Sequence, residues 1–539
     1  MAEKIIPTKA KGDRNGCARL RRVVAAFSLL AITALFLDLS GALHGWLGWL
    51  AKLQLLPAIM AANIAVIVGI AVVTLLFGRI YCSVICPLGI FQDGVSHLSS
   101  LRDHGKKKLR FGWKPERMWL RYGVFTVFVL ALVFGIHVLV AVLAPYSAYG
   151  RMVGNLLQPL WLWGNNLLAK IAEHYDSYAF YTRDVWLKSL PTLIVAGLTF
   201  VVLSVLAWWN GREYCNSICP VGTALGLLSR FAMFRPVIDA DKCKNCKLCE
   251  KGCKSSCIDI ANHKIDYSRC VDCLNCLDAC KFDALHYRFG WKTTGAGSPL
   301  ENEAGVSHVK NTRTLGAKTP QKCDQHPEKM DVGRRAFLTG TTMVAGALTL
   351  DAQAQKFDGG FAKVLPKREP EREGRLVPPG ARSANDFYSR CTACGLCVAA
   401  CPNGVLRPSG DLEHLMQPHM SFERGYCRPE CTECSQVCPA GAILPITPEE
   451  KTDISIGIAE VDYELCVVNR DGVNCGNCAR HCPTHAIHMV AKEGSKFRIP
   501  SVDTSLCIGC GTCEYLCPSR PYSAIHVNGR VKHINISES

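Results

Sequence analysis

Residues 243–280 read CKNCKLCEKGCKSSCIDIANHKIDYSRCVDCLNCLDAC. Cys243, Cys246, Cys249 and Cys253 stand at C-x2-C-x2-C-x3-C, and Cys270, Cys273, Cys276 and Cys280 repeat that spacing. Three closely spaced thiolates can wrap one iron–sulfur cubane while the fourth of each run reaches across to the other cubane. That exchange demands two equal runs. A zinc site rarely uses two matched runs of four. The stretch therefore reads as a small α+β domain over 236–290 with two [4Fe–4S] clusters. The residue after each fourth cysteine is Lys254 or Lys281, where proline is usual. Cys257 offers a second candidate for the distal ligand, although the spacing favours Cys253.

Four more runs follow near the C-terminus. They are Cys391, Cys394, Cys397 and Cys401; Cys427, Cys431, Cys434 and Cys438; Cys466, Cys475, Cys478 and Cys482; and Cys507, Cys510, Cys513 and Cys517. A proline follows the last cysteine of each, and the second and third runs lengthen only their first gap. Sixteen thiols match four further [4Fe–4S] clusters, about six in the whole chain. Spacing does not say which runs exchange their distal cysteines.

The chain has 539 residues and 31 cysteines, and a mean hydropathy of +0.13. Disulfide-dense scaffolds are short secreted domains, so a disulfide framework fits poorly. Apolar runs at 23–43, 57–77, 122–144 and 190–209 each approach the roughly 20 residues that a helix needs to cross a bilayer. Basic residues crowd the segment before the first run and the 78–121 loop, whereas only Lys52 lies between the first two runs. By the positive-inside rule those basic segments, and the chain just after 210, face the cytoplasm. The net charge of +16 is thus a topology signal, and no nucleic-acid partner is expected.

Two near-copies, GRIYCSVICPLG with Cys82 and Cys86 and GREYCNSICPVG with Cys215 and Cys219, follow the second and fourth runs. The membrane part reads as two similar halves. Four soft ligands at one face suffice for one cluster or one tetrahedral metal, and structural thiols capping helix ends are the alternative. Asp38, inside the first run, is costly in lipid and is a candidate functional residue. His44 and His137 lie near or within runs and suit a hydrogen-bonded or quinone-contacting role better than haem ligation.

Residues 291–329 read as a linker. Arg334, Arg335, Phe337 and Leu338 match a twin-arginine export signal, with an A-x-A-like site at Ala352–Ala354. A plain fifth membrane anchor over 330–354 and a non-functional remnant of a gene fusion are the alternatives. The signal and the anchor both place 355–539 outside the cytoplasmic membrane. The organisation expected is a basic cytoplasmic N-terminus (1–22), a membrane domain (23–235), the two-cluster domain (236–290), the linker, the signal, and a periplasmic four-cluster domain (355–539). Cys17, Cys257 and Cys323 are left over as isolated thiols. There is no nucleophilic constellation, and no Rossmann or P-loop fingerprint.

Residues 1–290 resemble the NapH-type membrane subunit, on their four apolar runs, two CxxxCP motifs and two-cluster domain. Residues 330–539 resemble the NapG- or MauM-type subunit, on the twin-arginine signal and four cluster runs. NosR- and MauN-type membrane proteins share the first half. The resemblance implies a membrane α-helical fold with four transmembrane helices plus two α+β bacterial-ferredoxin-like domains binding [4Fe–4S] clusters, in the bacterial inner membrane. It implies a quinol dehydrogenase component that draws on the quinol pool and feeds a periplasmic reductase, typically of the nitrate reductase type, or a cytochrome acceptor. The cysteines from Cys243 to Cys280 and from Cys391 to Cys517 named above carry over as cluster ligands. Cys82, Cys86, Cys215, Cys219 and Asp38 are the candidates for the redox or quinone site. Two alternatives stay open: an electron donor for maturation or regulation of a periplasmic metalloenzyme, and a carrier fed by ferredoxin. The missing prolines and the fused chain depart from the family pattern and leave the partner reductase open.

Overall fold

Helix α1, Lys11–Leu37, and a second long helix, Leu190–Asn210, set the dimensions of the molecule. The computed structural model describes residues 11–38, 41–102, 111–289, 365–491 and 496–538. The linker 291–329, the twin-arginine segment 330–354, Cys323 and Lys106–Lys108 lie outside the described residues, as does the Cys17 side chain.

Among the described residues, two helices are long and apolar enough to cross a membrane, Ala18–Leu37 within α1 and Leu190–Asn210. The runs expected at 57–77 and 122–144 are not continuous helices. The first breaks into α2, Leu55–Met60, and α3, Ile64–Phe77. Ala62 stands at φ +52° between them, and the Asn63 side chain caps α3 by accepting from Val66 N–H at 3.3 Å. The second breaks into α6, Met118–Val133, and α7, His137–Leu143, around Gly135 at φ +71°. Ile136 N–H closes back onto Ala131 O at 2.8 Å. A left-handed residue with a six-to-one closure ends a helix whatever its hydropathy, and hydropathy alone does not register it.

Between α3 and α6 lie α4, Ile80–Val84, and α5, Pro87–Arg102. After α7 comes α8, Pro145–Met152. The Leu190–Asn210 helix is α9, followed by α10, Glu213–Ser217, and α11, Pro220–Ser229. Each CxxxCP motif thus forms a short helix, a break before proline, and a second helix with the proline at its start, where its missing N–H costs nothing. Gly78 and Gly211, at φ +71° and +66°, end α3 and α9 just before the two motifs.

The cysteine-rich sections carry short helices and only two-stranded antiparallel sheets. β1 (Phe234–Ile238) pairs with β4 (Leu285–Phe289), and β2 (Ile258–Asp259) with β3 (Lys264–Ile265). In the C-terminal section β5 (Leu406–Pro408) pairs with β6 (Pro418–Met420). There β7 (Ile454–Val461) also pairs with β10 (Ile525–Asn535), and β8 (Ile487–Val490) with β9 (Ile499–Val502). This is less sheet than an α+β reading implies. Thiol-bearing loops, rather than sheet faces, fill the interior.

The two sections meet opposite ends of the same helices. Near the start of α1, Arg22 lies 3.6 Å from Asp278, while near its end Phe36 packs on Gly150. A Cβ on Gly150 would stand 2.3 Å from the Cys394 carbonyl oxygen. Ahead of α9, Lys188 Nζ donates to Val398 O at 3.3 Å; beyond it, Arg212 N–H donates to Lys254 O at 3.0 Å. Helix α9 is about 30 Å long, the thickness of a bilayer's hydrocarbon core. One contiguous core runs from Val271 and Cys273, through Cys82, Cys86, Cys215 and Cys219, to Cys394 and Cys397.

Candidate metal centres

The four cluster runs with the standard spacing share one local device. Asn245 and Lys247 flank Cys246 at φ +51° and +58°, and Asp272 and Leu274 flank Cys273 at +48° and +60°. Ala393 with Gly395, and Gly509 with Gly511, do the same around Cys394 and Cys510. Successive turns of this kind aim backbone N–H groups into one concavity, which suits an anionic centre. For non-glycine residues the conformation costs on the order of 1 kcal/mol each, so an uncompensated loop would not hold it.

The thiols line cavities rather than converging on points. Among the described residues, no three Cys, His, Asp or Glu side chains converge to hold a single metal ion. Cys243, Cys246, Cys249 and Cys280 surround about 340 Å³ of open space. Cys253, Cys270, Cys273 and Cys276, with Cys257, surround about 390 Å³. Cys401, Cys427, Cys431 and Cys434 surround about 350 Å³. Each set takes three thiols from one run and the fourth from its neighbour, which is the exchange the spacing predicts.

The remaining partners follow from proximity. Cys438 lies beside Cys391, Cys394 and Cys397. Cys517 lies beside Cys478, with Cys475 and Cys466. Cys482 lies beside Cys507 and Cys510. The first C-terminal run therefore exchanges with the second, and the third with the fourth, a pairing the spacing left open.

Cys257 is not isolated. Its Sγ is 3.5 Å from Cys253 Sγ, and it also lies beside Cys270. Cys253 is the thiol that faces both Cys273 and Cys276, so the geometry favours it as distal ligand. Burial pushes Cys249, Cys273, Cys394 and Cys427 each up to about 11. Without iron these thiols hold their protons, and bound iron would take them as thiolates. These residues fit [4Fe–4S] clusters, whose chemistry is one-electron transfer.

The CxxxCP motifs meet in the core. Cys82, Cys86, Cys215 and Cys219 are all buried. Arg79, three residues before Cys82, donates through Nη2 to Cys215 O at 3.1 Å; Arg212, three before Cys215, donates through Nη1 to Cys82 O at 2.7 Å. Both guanidiniums are fully buried. Arg212 Nη2 also pairs with Asp93 at 2.8 Å, and Arg79 Nη1 reaches Asn216 Oδ1 and Ser268 O, each at 3.0 Å. Both repeats carry the letters GR-x-Y-C, so each cysteine pair comes with its own arginine. The repeated arginine and tyrosine were the signal for this bracing.

Asp38 does not lie inside a helix facing lipid. It follows the end of α1 and accepts from Gly41 N–H at 3.1 Å, Leu43 N–H at 2.9 Å and His44 Nδ1 at 3.2 Å. It caps the turn that starts the helix Ala42–Leu47, so its burial is explained by local hydrogen bonding. His44 is held by that carboxylate, and His137 is the first residue of α7.

Comparison with known families assigns most of these segments, although the run Cys243–Cys253 lies outside the matches. A 4Fe-4S binding domain matches residues 59–111 and again 190–237, another matches 263–286, and a 4Fe-4S dicluster domain matches 390–442 and 473–520. The first dicluster match covers the first and second runs; the other covers the fourth run and the third from Cys475 onward. The methylamine utilization ferredoxin-type protein MauM of Methylobacillus flagellatus is 37% identical over 167 residues, 29% of this chain and 70% of that protein. MauM of Methylophilus methylotrophus is 33% identical over 35% of this chain and 82% of that protein. The ferredoxin-type protein NapG of Escherichia coli K12 is 34% identical over 34% of this chain and 81% of that protein. No solved structure matches. By its cluster-bearing third, the chain belongs to the MauM/NapG-type family of ferredoxin proteins, iron–sulfur electron carriers with several [4Fe–4S] clusters.

Proposed function

We propose that this chain is an inner-membrane electron-transfer protein that oxidises quinol and passes electrons to a periplasmic reductase, of the kind that uses NapG. The observation that carries the reading is the placement of the two cysteine-rich sections at the two ends of α9, a helix of membrane length. In this reading the N-terminal half is a NapH-type domain fused to its NapG-type partner. The broken helices α2–α3 and α6–α7 cross the bilayer as well. Their exposed Ile64, Val68, Val72, Val129, Leu130 and Val133 give them the apolar outer face that lipid requires. The 330–354 segment carries the chain outward, and the section beyond it faces the periplasm.

A second reading rests on a separate feature. Cys246 is exposed, and Lys242, Lys244, Lys247 and Lys281 are exposed around its cavity. A basic rim at the most accessible cluster cysteine suits an acidic soluble donor such as ferredoxin, by charge complementarity. A role in maturing a metalloenzyme, as the methylamine utilization names of the MauM relatives invite, would use the same electron route.

Anaerobic EPR on the purified chain separates the donors. Reduction of the clusters by a naphthoquinol, abolished by a quinone-site inhibitor, is the expected result. Clusters that ignore quinol but are reduced by ferredoxin would replace the first reading with the second.

A further inference from the structure

The two CxxxCP repeats are the largest chemical feature that the six cluster runs leave unused. Each supplies two thiols, and two thiols do not complete a cubane. The fold brings the pairs together. Cys86 lies beside Cys82 and Cys215, and Cys219 lies beside Cys215, Cys86 and Cys82. Two N–H donors already point at sulfur: Gln92 Nε2 is 3.2 Å from Cys215 Sγ and Gly222 N is 3.4 Å from Cys219 Sγ. Such bonds are how a protein supports and tunes thiolate ligands.

The surrounding charge is unbalanced in the sense that an anionic centre would correct. Among the described residues around the repeats, Arg21, Arg79, Arg121, Arg212 and Lys254 are inside or largely buried. The carboxylates that face them are Asp93, Glu116 and Asp272. Buried positive charge is tolerated only beside compensating negative charge. Thiolates at the four cysteines would supply it.

We propose that Cys82, Cys86, Cys215 and Cys219 jointly hold one iron–sulfur centre, shared by the two repeats, that links the clusters at one end of α9 to those at the other. The proposal rests on the transmembrane electron-carrier reading. On one side, Asn216 Nδ2 donates to Ser255 O at 3.2 Å and Arg79 to Ser268 O. These bonds seat the loops that carry Cys253 and Cys270 against the repeats, and Cys273 packs into the same core as the four thiols. On the other side, Tyr81 lies beside Cys82 and Cys86. Tyr146 lies beside Tyr81, Cys394 and Cys438, and its buried hydroxyl has no hydrogen-bond partner among the described residues. Tyr81 and Tyr146 are therefore positioning residues between the shared thiols and the first exported run. Each passage moves one electron and makes or breaks no bond: the donor is oxidised by one electron and a ferric acceptor becomes ferrous.

The test uses the full chain in sealed vesicles with ferric cytochrome c trapped inside and dithionite, as the reductant, added outside. Iron and acid-labile sulfide per chain are measured on the same preparations. The wild-type chain should carry about 28 irons, rather than the roughly 24 that six cubanes require, and should reduce the trapped cytochrome. Cys82→Ser/Cys215→Ser should lose about four irons and fall to the leak rate of protein-free vesicles. Tyr146→Leu keeps the iron and should slow the reduction, which separates loss of coupling from loss of folding. Two results would overturn the proposal: about 24 irons in the wild type, as a disulfide or plain thiol site would give, or trapped cytochrome reduced as fast by the double serine variant. Failure of the wild-type chain to reduce the trapped cytochrome would instead defeat the transmembrane reading beneath it.

Discussion

Arg212 and Cys82 are 130 residues apart in sequence and bonded in the fold, guanidinium Nη1 to carbonyl oxygen, at 2.7 Å. Arg79 and Cys215 repeat the bond in the opposite sense at 3.1 Å. Each repeat's arginine thus closes over the other repeat's first cysteine. Neither motif is complete by itself.

Removing one arm should show this. Arg212→Leu leaves Asp93 short of its main partner and the Cys82 carbonyl unsatisfied. Arg21 at 3.5 Å and Lys254 at 3.4 Å stay beside Asp93, so the loss should be smaller than the roughly 3–5 kcal/mol of a wholly unpaired buried charge. Thermal unfolding of the detergent-solubilised protein should drop accordingly. Arg212→Lys should not restore it, because one ammonium cannot reach both partners as the fork does. Arg212→Leu/Asp93→Leu should recover part of the loss, and equal instability of the double variant would refute the pairing.

The exchange of distal cysteines makes an assignment that sequence spacing does not. Cys438→Ser should abolish the cluster held by Cys391, Cys394 and Cys397 and leave that of Cys427, Cys431 and Cys434. Cys401→Ser should do the reverse. Each variant should lose about four irons, one cubane, and the EPR spectra should lose different signals. Identical losses would argue against the crossed pairing.

Cys257 should behave as a reserve ligand. Cys257→Ser should keep wild-type iron content. Cys253→Ser should keep part of it, because Cys257 Sγ sits 3.5 Å away. The double serine variant should lose the cluster at Cys270, Cys273 and Cys276. Full iron loss from Cys257→Ser alone would exchange the two roles.

Iron loading should release protons. Burial holds thiols such as Cys273 and Cys394 up near about 11, above the ordinary thiol value of about 8.5. At neutral pH those two buried thiols are protonated without iron, and ligation must expel their protons. Reconstitution followed in a pH-stat should release protons as iron is taken up. Apparent iron affinity should rise as pH rises toward the thiol values. Affinity that is flat with pH would contradict the burial argument.

Much of this was legible in the sequence because cysteine spacing reports covalent geometry directly. The repeats Cys243–Cys253 and Cys270–Cys280 announced their own exchange, and the structure places Cys280 with the first run. The broken helices were not legible, since Ala62 and Gly135 act through backbone conformation while the hydropathy around them stays uniform. The place of Asp38 was not legible for a related reason: its helix ends one residue before it, and the turn it caps leaves no mark in the hydropathy. The pairing of the four C-terminal runs was hidden because it depends on which loops the fold brings together. Arg79 and Arg212 were visible as repeated letters, but a charge beside a membrane run reads first as a topology signal.

The central claim is that electrons cross the bilayer within this one chain, and the wild-type protein in sealed vesicles tests it most directly. With dithionite outside and ferric cytochrome c inside, the account predicts reduction of the trapped haem far above protein-free vesicles. Trapped cytochrome that stays ferric, while the outward-facing clusters are fully reduced, would contradict it.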